Sequence, residues 1–295
     1  MAGRILITGA SGQLGSRVID HLLSSLNVPA SSVVAGSRDP GKLGDIEARG
    51  VETRRVDFDD EGGLAAAFDG IERLLIVSTD ALDGAGTRLR QHKAAVSAAK
   101  AAGVGRIFYT SMPNPEDALI TFAPDHLGTE EAIKASGIAY TIFRNGWYME
   151  NLFMSLPQAL ASGQWYSSAG TGKIAHIARD DIARAIAAGI AGPANGNVTY
   201  TLTGPEAHTT DEIAELVTAA TGKPLSVVHV SDEALAEGMA QAGVPAPFIP
   251  TFVSFDANTR EGKISMVTGD VKDLSGQAPR SLRTFLEANK AALHA

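Results

Sequence analysis

Short apolar runs alternate with stretches of helical periodicity through the first half of this chain. Ile5, Leu6 and Ile7 form a run that suits a buried parallel strand. From Gln13 the pattern turns helical, with Leu14, Val18 and Leu22 on one face and Leu23 and Leu26 beside it. Further strands are predicted at 33–36, 52–56, 74–77, 106–110 and 140–143, with helices over 64–68, 86–102 and 126–135 between them. This succession predicts an α/β fold, a Rossmann-like doubly wound parallel sheet. Past residue 150 the alternation loosens. A helix over 179–190 carries Ile182, Ile186 and Ile190 on one stripe, with Asp180 as its cap, and a strand follows at 198–202. Thr209 and Glu212 make a capping box for a helix through Ile213, Leu216, Val217 and Ala220. A strand at 227–230, a helix from Asp232 and the proline-punctuated 244–250 suggest a smaller C-terminal α/β lobe over the sheet's carboxyl edge. The expected division is a nucleotide-binding domain over 1–150, completed by 174–203, and a lobe with a C-terminal helix over 151–173 and 204–295.

Where the first strand gives way to the first helix, Gly9, Gly12 and Gly15 follow at three-residue spacing, so the motif is G-x-x-G-x-x-G. Gly9 permits a tight turn, Gly12 lets a pyrophosphate approach the backbone, and Gly15 allows close packing of helix on strand. The amides and positive end of the helix then face the phosphates. The alternative is a glycine-rich turn that binds nothing, but strand, turn and helix in this order favour a dinucleotide. The second strand runs into Ser37-Arg38-Asp39-Pro40-Gly41-Lys42. An NAD site places a carboxylate here for the ribose, whereas an NADP site places Arg against the 2′-phosphate. Arg38 and Lys42 favour NADP(H); solvated loop charges are the bland alternative, and Asp39 can serve either role. At the third strand's end Asp57 and Phe58 can border the adenine, while Asp59, Asp60 and Glu61 equally suit a helix N-terminus. Ser78 and Thr79 end the fourth strand, and Ser111 the fifth. The sixth ends in Arg144-Asn145-Gly146-Trp147-Tyr148-Met149-Glu150-Asn151. Two adjacent aromatics at a strand tip do not readily share one core face, so a pocket role is favoured over core packing for Trp147 and Tyr148.

Composition narrows the chemistry. The chain has 295 residues, no cysteine and a formal net charge of −8. Thiolate catalysis and Cys-based metal sites are excluded, and nucleic acid is a poor partner without a basic surplus. Seven histidines are scattered without H-E-x-x-H or another ligand cluster, so no metal is expected. There is no G-x-S-x-G elbow and no P-loop. No targeting segment or membrane span is evident, and Asn197-Val198-Thr199 reads as an incidental glycosylation match, so a cytoplasmic protein is expected.

The glycine turn, the strand order and the second lobe resemble the short-chain dehydrogenase/reductase superfamily. Its usual members carry Tyr and Lys four apart on a helix, the Lys lowering the Tyr pKa. Here the residues four after the tyrosines are Pro113, Arg144, Leu152, Gly170 and Gly204, and none is Lys. Where that helix should lie the chain reads His126-Leu127-Gly128-Thr129-Glu130. With Ile-Thr-Gly-Ala-Ser-Gly-Gln-Leu-Gly, Ser37-Arg38-Asp39, the Arg144 to Asn151 tip and Gly243-Val244-Pro245, this resembles the NmrA-like atypical branch. It is most similar there to bacterial NADPH quinone oxidoreductases of the type-2 kind and to triphenylmethane dye reductases. The resemblance implies an NADPH-dependent oxidoreductase passing hydride to a small, electron-poor conjugated acceptor, as a monomer or homodimer. It also implies that Gly9, Ala10, Ser11, Gly12, Gln13 and Leu14 hold the pyrophosphate and Arg38 the 2′-phosphate. Ser78 and Thr110 would flank ribose or nicotinamide, and the backbone of Asn145, Gly146, Trp147 and Tyr148 would cradle the nicotinamide. Trp147 and Tyr148 would shape the acceptor pocket with Phe122 and Phe248. His126, Glu130 and Tyr148 are the candidate catalytic groups, although a surface helix pair is the commoner meaning of the His126–Glu130 spacing. A non-catalytic NADP(H)-binding redox sensor is the rival reading; an epimerase or dehydratase is opposed by the missing Tyr–Lys pair.

Overall fold

The computed structural model describes residues 3–82, 86–193 and 196–293. Residues 1–2, 83–85, 194–195 and 294–295, which the expected domains include, lie outside the described residues. The strands are β1 (Arg4–Ile7), β2 (Val33–Ser37), β3 (Glu52–Arg55), β4 (Ile71–Ile76), β5 (Arg106–Ser111), β6 (Ala139–Asn145), β7 (Gln164–Ser167), β8 (Val198–Leu202) and β9 (Ser226–His229). Seven form one sheet in the order β3-β2-β1-β4-β5-β6-β8, and β7 pairs with β9 in a second. Every pair from β3 to β6 is parallel. The order reverses between β1 and β4, which is the switch point of a doubly wound, Rossmann-like sheet. Apolar runs such as Ile5-Leu6-Ile7 and Leu74-Leu75-Ile76 are buried throughout because helices flank the strands.

Two compact units share the chain. Unit 1 comprises 1–112, 124–144 and 182–200, and unit 2 comprises 113–123, 145–181 and 201–295. Unit 1 packs Leu6, Val34, Leu74, Ile107, Tyr109 and Ile142 of the sheet with Leu64, Phe68, Ala95 and Ile133. Each large apolar side chain removed from water there contributes about 1.5–3 kcal/mol. Unit 2 has a core of its own, built on Met149, Leu156, Ile213, Val217, Phe285 and Leu286. Segments 113–123, 145–150, 174–181 and 201–203, grouped with the first domain on sequence, fall in unit 2, where their backbone makes hydrogen bonds. Ile177 donates to the Trp147 carbonyl and accepts from the Met149 amide, both at 2.9 Å. Leu119 N–H donates to Asn258 Oδ1 at 2.9 Å.

Predicted elements shift at their ends. β6 runs on to Asn145, so Arg144 and Asn145 belong to a strand rather than a loop. The helix expected at 126 begins three residues earlier, as Ala123–Ser136. The capping box of Thr209 and Glu212 is present. Asp180, however, is not a cap: the helix Arg179–Ala191 begins before it, and its carboxylate receives the Arg280 guanidinium at 2.9 Å. Arg280 also donates through its backbone and Nε to Asp181, at 2.9 and 3.1 Å, which ties the chain ahead of the helix Leu282–Ala288.

Candidate functional site

The glycine turn of unit 1 has the geometry its spacing implies. Gly9 sits at φ +61°, a left-handed conformation that favours glycine. Gly12 N–H donates to the Gly9 carbonyl at 2.9 Å, and Gly12 then caps the helix Gln13–Asp20 with extended backbone and no side-chain hydrogen bond. The amides of the first helical turn therefore have no capping acceptor from that residue. A Cβ on Gly15 would stand 2.4 Å from the Gly9 carbonyl oxygen, and one on Gly12 3.2 Å from it. Ala10 is buried and donates to the Gly36 carbonyl at 2.9 Å, while Ser11 Oγ lies 3.0 Å from Ser37 Oγ. Leu14 is buried, and Ser11, Gly12 and Gln13 are exposed.

Beyond β2, the Asp39 carboxylate accepts from the Gly41 amide at 3.1 Å and caps the turn Pro40–Leu43. This turn cap is a bond that neither of the two cofactor roles open to Asp39 on sequence described. Arg38 and Lys42 are exposed, and their side chains make no hydrogen bond or ion pair among the described residues; the Lys42 backbone N–H donates to the Asp39 carbonyl at 3.2 Å. Asp57 accepts from Arg55 Nη2 at 2.8 Å and from Asp59 N–H at 3.1 Å. Phe58, expected to border an adenine, is in the core. Asp60 caps the helix Glu61–Ala67, and Asp59 holds Arg90 and Gln91.

The tips of β4, β5 and β6 meet a buried polar layer carried by the helices Thr87–Ala101 and Ala123–Ser136. Ser78 N–H donates to Thr110 Oγ1 at 2.9 Å, which places these two predicted residues together. Thr79 N–H donates to His92 Nε2 at 3.0 Å. Tyr109 Oη lies 2.8 Å from His126 Nδ1, and Arg88 Nη2 lies 2.9 Å from His126 Nε2. Glu130 receives Ser111 Oγ at 2.7 Å, Arg144 Nε and Nη2 both at 2.9 Å, and Lys134 Nζ at 3.2 Å. His126 and Glu130 are therefore not a surface pair. Both are buried because their helix turns them towards β5 and β6, and the partners named above are different for each. Burial, with the Arg88 charge, holds His92 down at about 3. Burial again, then Arg88 and His92, puts His126 well below its usual range, so both rings are neutral near pH 7. Burial raises the Tyr109 phenol. Burial also works to raise Glu130, but hydrogen bonds from Arg144 and Ser111 and the charges of Arg144 and Lys134 outweigh it, and Glu130 stays ionised. The sequence reading missed His92, although a histidine four residues after Arg88 on the helix's buried stripe was a usable signal.

Unit 2 holds the remaining predicted residues. Asn145 is 8% exposed, and among the described residues neither its Oδ1 nor its Nδ2 has a hydrogen-bond partner. Gly146 follows at a close approach: its N–H donates to the Leu202 carbonyl at 2.8 Å, and a Cβ there would stand 2.9 Å from the same oxygen. Trp147 packs on Phe255 of the helix Ile249–Arg260, with ring centroids 4.2 Å apart. Phe122 and Phe252 meet the same Phe255 ring edge-on, at 6.2 and 6.0 Å. Tyr148 instead lies under the Arg179 guanidinium, 4.7 Å from its ring centre. The adjacent aromatics thus take different neighbours. Phe248 is 41% exposed in the turn Ala246–Phe248, and sequence reasoning did not single out Phe252 or Phe255. Among the described residues no three His, Asp or Glu side chains could hold a metal, and no helix is long and apolar enough to cross a membrane.

The model of the NmrA-like family matches residues 1–285. The chain belongs to that family. Among its NmrA-like relatives, quinone oxidoreductase 2 of Escherichia coli (strain K12) is 38% identical over 258 residues, which is 88% of this chain and 88% of that protein. The crystal structure of an Escherichia coli NADPH-dependent quinone oxidoreductase complexed with NADPH matches with a TM-score of 0.91 at 35% identity, covering 96% of this chain and 99% of that one. Citrobacter sp. triphenylmethane reductase complexed with NADP(H) matches with a TM-score of 0.89 at 34% identity, covering 98% and 99%. Membership of the NmrA-like branch is what the glycine turn, the absent Tyr–Lys pair and the Asn-Gly-Trp-Tyr tip imply.

Proposed function

We propose that this chain is an NADPH-dependent oxidoreductase that reduces a quinone or a similarly electron-poor conjugated compound. The observation that carries the reading is the β1 turn, where three glycines bring backbone to the N-terminus of an uncapped helix. That arrangement suits a pyrophosphate. Arg38 and Lys42, exposed and without ion-pair partners, suit the 2′-phosphate of NADP(H). The unpartnered donor and acceptor of Asn145 suit a carboxamide such as that of nicotinamide. Ser78 and Thr110 lie on the β4 side of the switch point, where the second half of a dinucleotide falls. The relatives named above, by their names and bound cofactors, point to the same donor and to quinone or triphenylmethane acceptors.

Nicotinamide, when bound, supplies the hydride. The chain's own part is then mainly to orient the acceptor. An ordinary ketone leaves an alkoxide that calls for a proton donor. The Tyr–Lys pair that usually gives one is missing, and His126 is neutral and tied to Tyr109 and Arg88. A quinone yields a delocalised phenolate and a cationic dye is neutralised by hydride, so neither acceptor needs a strong acid. Trp147, Phe122, Phe252 and Phe255 offer an apolar, aromatic surface for such a compound, with Tyr148 and Phe248 as further candidates. The test is NADPH oxidation by purified protein over a panel of quinones, dyes and activated imines. Oxidation above that of a Gly12→Trp control is expected. Tight NADPH binding with no acceptor reduced would favour the redox-sensor reading instead.

A further inference from the structure

We infer that His92 is a positioning residue that fixes the carboxyl tip of β4 through the Thr79 amide, and so orders the half of the nucleotide site beyond the switch point. The inference rests on the NADP(H) reading for what the tip holds, but its geometry lies wholly within unit 1. Backbone N–H and guanidinium groups only donate, so they set the direction of every bond in the buried layer. Thr79 N–H donates to His92 Nε2 at 3.0 Å, which leaves the ring proton on Nδ1, facing Thr129 Oγ1 at 3.0 Å. Arg88 Nη2 donates to His126 Nε2 at 2.9 Å, which puts that ring's proton on Nδ1, facing Tyr109 Oη at 2.8 Å. The Tyr109 hydroxyl also lies 3.4 Å from His92 Nδ1, and the Thr129 hydroxyl donates to the Asp125 carbonyl at 2.6 Å. One line of donors thus runs from Thr79 through His92 and Thr129 to the Asp125 carbonyl, a second runs from Arg88 through His126 to Tyr109, and each histidine takes a single tautomer.

A second proton on His92 would set an N–H against the Thr79 N–H, so the ring serves as a fixed acceptor. Thr79 follows Ser78, whose own amide is held by Thr110 Oγ1 at 2.9 Å. Consecutive amides at the β4 tip are therefore pinned by side chains of unit 1, one from β5 and one from the helix Thr87–Ala101. Gly128 suits the close approach of that helix to Ala123–Ser136, since a Cβ there would stand 3.0 Å from Leu89 Cδ1. In this sheet order β2, with Arg38, lies on one side of β1 and β4 on the other. Loss of the Thr79 anchor should then weaken NADPH while sparing adenosine 2′,5′-bisphosphate, which lacks the nicotinamide half.

The experiment measures affinity for both ligands in the wild type, His92→Leu and His92→Gln. His92→Leu removes the acceptor, and NADPH is expected to bind about tenfold more weakly. His92→Gln offers an amide oxygen to Thr79 and an NH2 to Thr129, and should return NADPH to within about threefold of wild type. The bisphosphate should bind alike in all three. Equal loss of both ligands without rescue by glutamine, or unchanged NADPH binding in His92→Leu, overturns the inference. Nitrogen NMR of the wild type judges the network even if His92→Leu does not fold. His92 and His126 are expected as Nδ1–H tautomers with a protected Thr79 amide, and an Nε2–H form of His92 refutes the assignment. Failure of the wild type to bind NADPH would remove the cofactor reading while leaving the NMR result standing.

Discussion

Replacing Gly15 by alanine puts the turn under a load that can be sized from the structure. The new Cβ would stand 2.4 Å from the Gly9 carbonyl oxygen, 2.9 Å from the Gly9 carbonyl carbon and 3.1 Å from the Ala10 Cα. Ordinary contact begins near 3.4 Å, so the closest approach is short by about 1 Å. All three neighbours are backbone, and no side chain can rotate away. The helix Gln13–Asp20 has to lift off β1, and overpacking of this kind costs about 1–3 kcal/mol. Better helix propensity returns no more than ~1 kcal/mol. A shift of about 1 Å also misdirects the amides proposed to face a pyrophosphate, and displacements of that size can cost about a hundredfold in function. Gly12→Ala makes the control, because its Cβ would meet the same oxygen at 3.2 Å, a mismatch of a few tenths of an ångström. Urea unfolding and calorimetric titration with NADPH report the two effects. Gly15→Ala should lose both stability and NADPH; Gly12→Ala should keep most of its stability while losing affinity. A Gly15→Ala protein as stable as wild type, with NADPH affinity within twofold, would refute the packing account.

Arg38→Ala should weaken NADPH by about 10- to 100-fold at low salt, the worth of a charge-assisted phosphate contact, and leave NADH unchanged in fluorescence titration. Asn145→Leu should raise the melting temperature, because each buried unpartnered polar group costs about 1–3 kcal/mol, and weaken NADPH at the same time. A fall in both would mean that the amide serves the fold. Asp256 tests the pH dependence of unit 2. Its Oδ2 accepts from Ser168 N–H at 2.7 Å and Ser167 Oγ at 2.8 Å, and burial raises its pKa above the usual 3.8 despite those bonds. A carboxyl raised in the folded state contributes stability below pH 3.8 that is lost as pH rises through its folded value. Asp256→Asn keeps the acceptor oxygen without the charge, so it should be the more stable protein at pH 7 in urea melts. That advantage should vanish below pH 3.8; an advantage independent of pH would contradict the assignment.

Much of the sheet is legible in the sequence because β1, β2, β4, β5 and β6 each carry an apolar run, and in a parallel sheet both faces are covered. β7 is not, for physical reasons. It has four residues, leaves Tyr166 52% exposed, and takes its register from β9, some sixty residues later. The glycine turn and Arg38 are legible because backbone conformation and strand-end charge are local properties. Burial of His126 and Glu130 is not local: spacing on a helix gives their mutual position, while the β5 and β6 residues they meet come from elsewhere in the chain. His92 marks the middle ground. Its place on a helical stripe with Arg88, Ala95 and Ala99 is periodic and readable, and a polar residue there signals a buried network without naming its partners. Nothing in the spacing of Asp181 and Arg280 announces their ion pair.

Hydride transfer itself can be followed with NADPH carrying deuterium at C4 of the dihydronicotinamide, prepared separately for each face. A cationic triphenylmethane dye is the acceptor of choice, because the transferred atom ends in a C–H bond that does not exchange with water. Under single-turnover conditions, one of the two labelled cofactors should give reduced dye one mass unit heavier, with NADPH consumed in equal amount. Bound NADPH that persists beside unreduced dye, or reduced dye without label from either face, would contradict direct transfer from this cofactor to the acceptor.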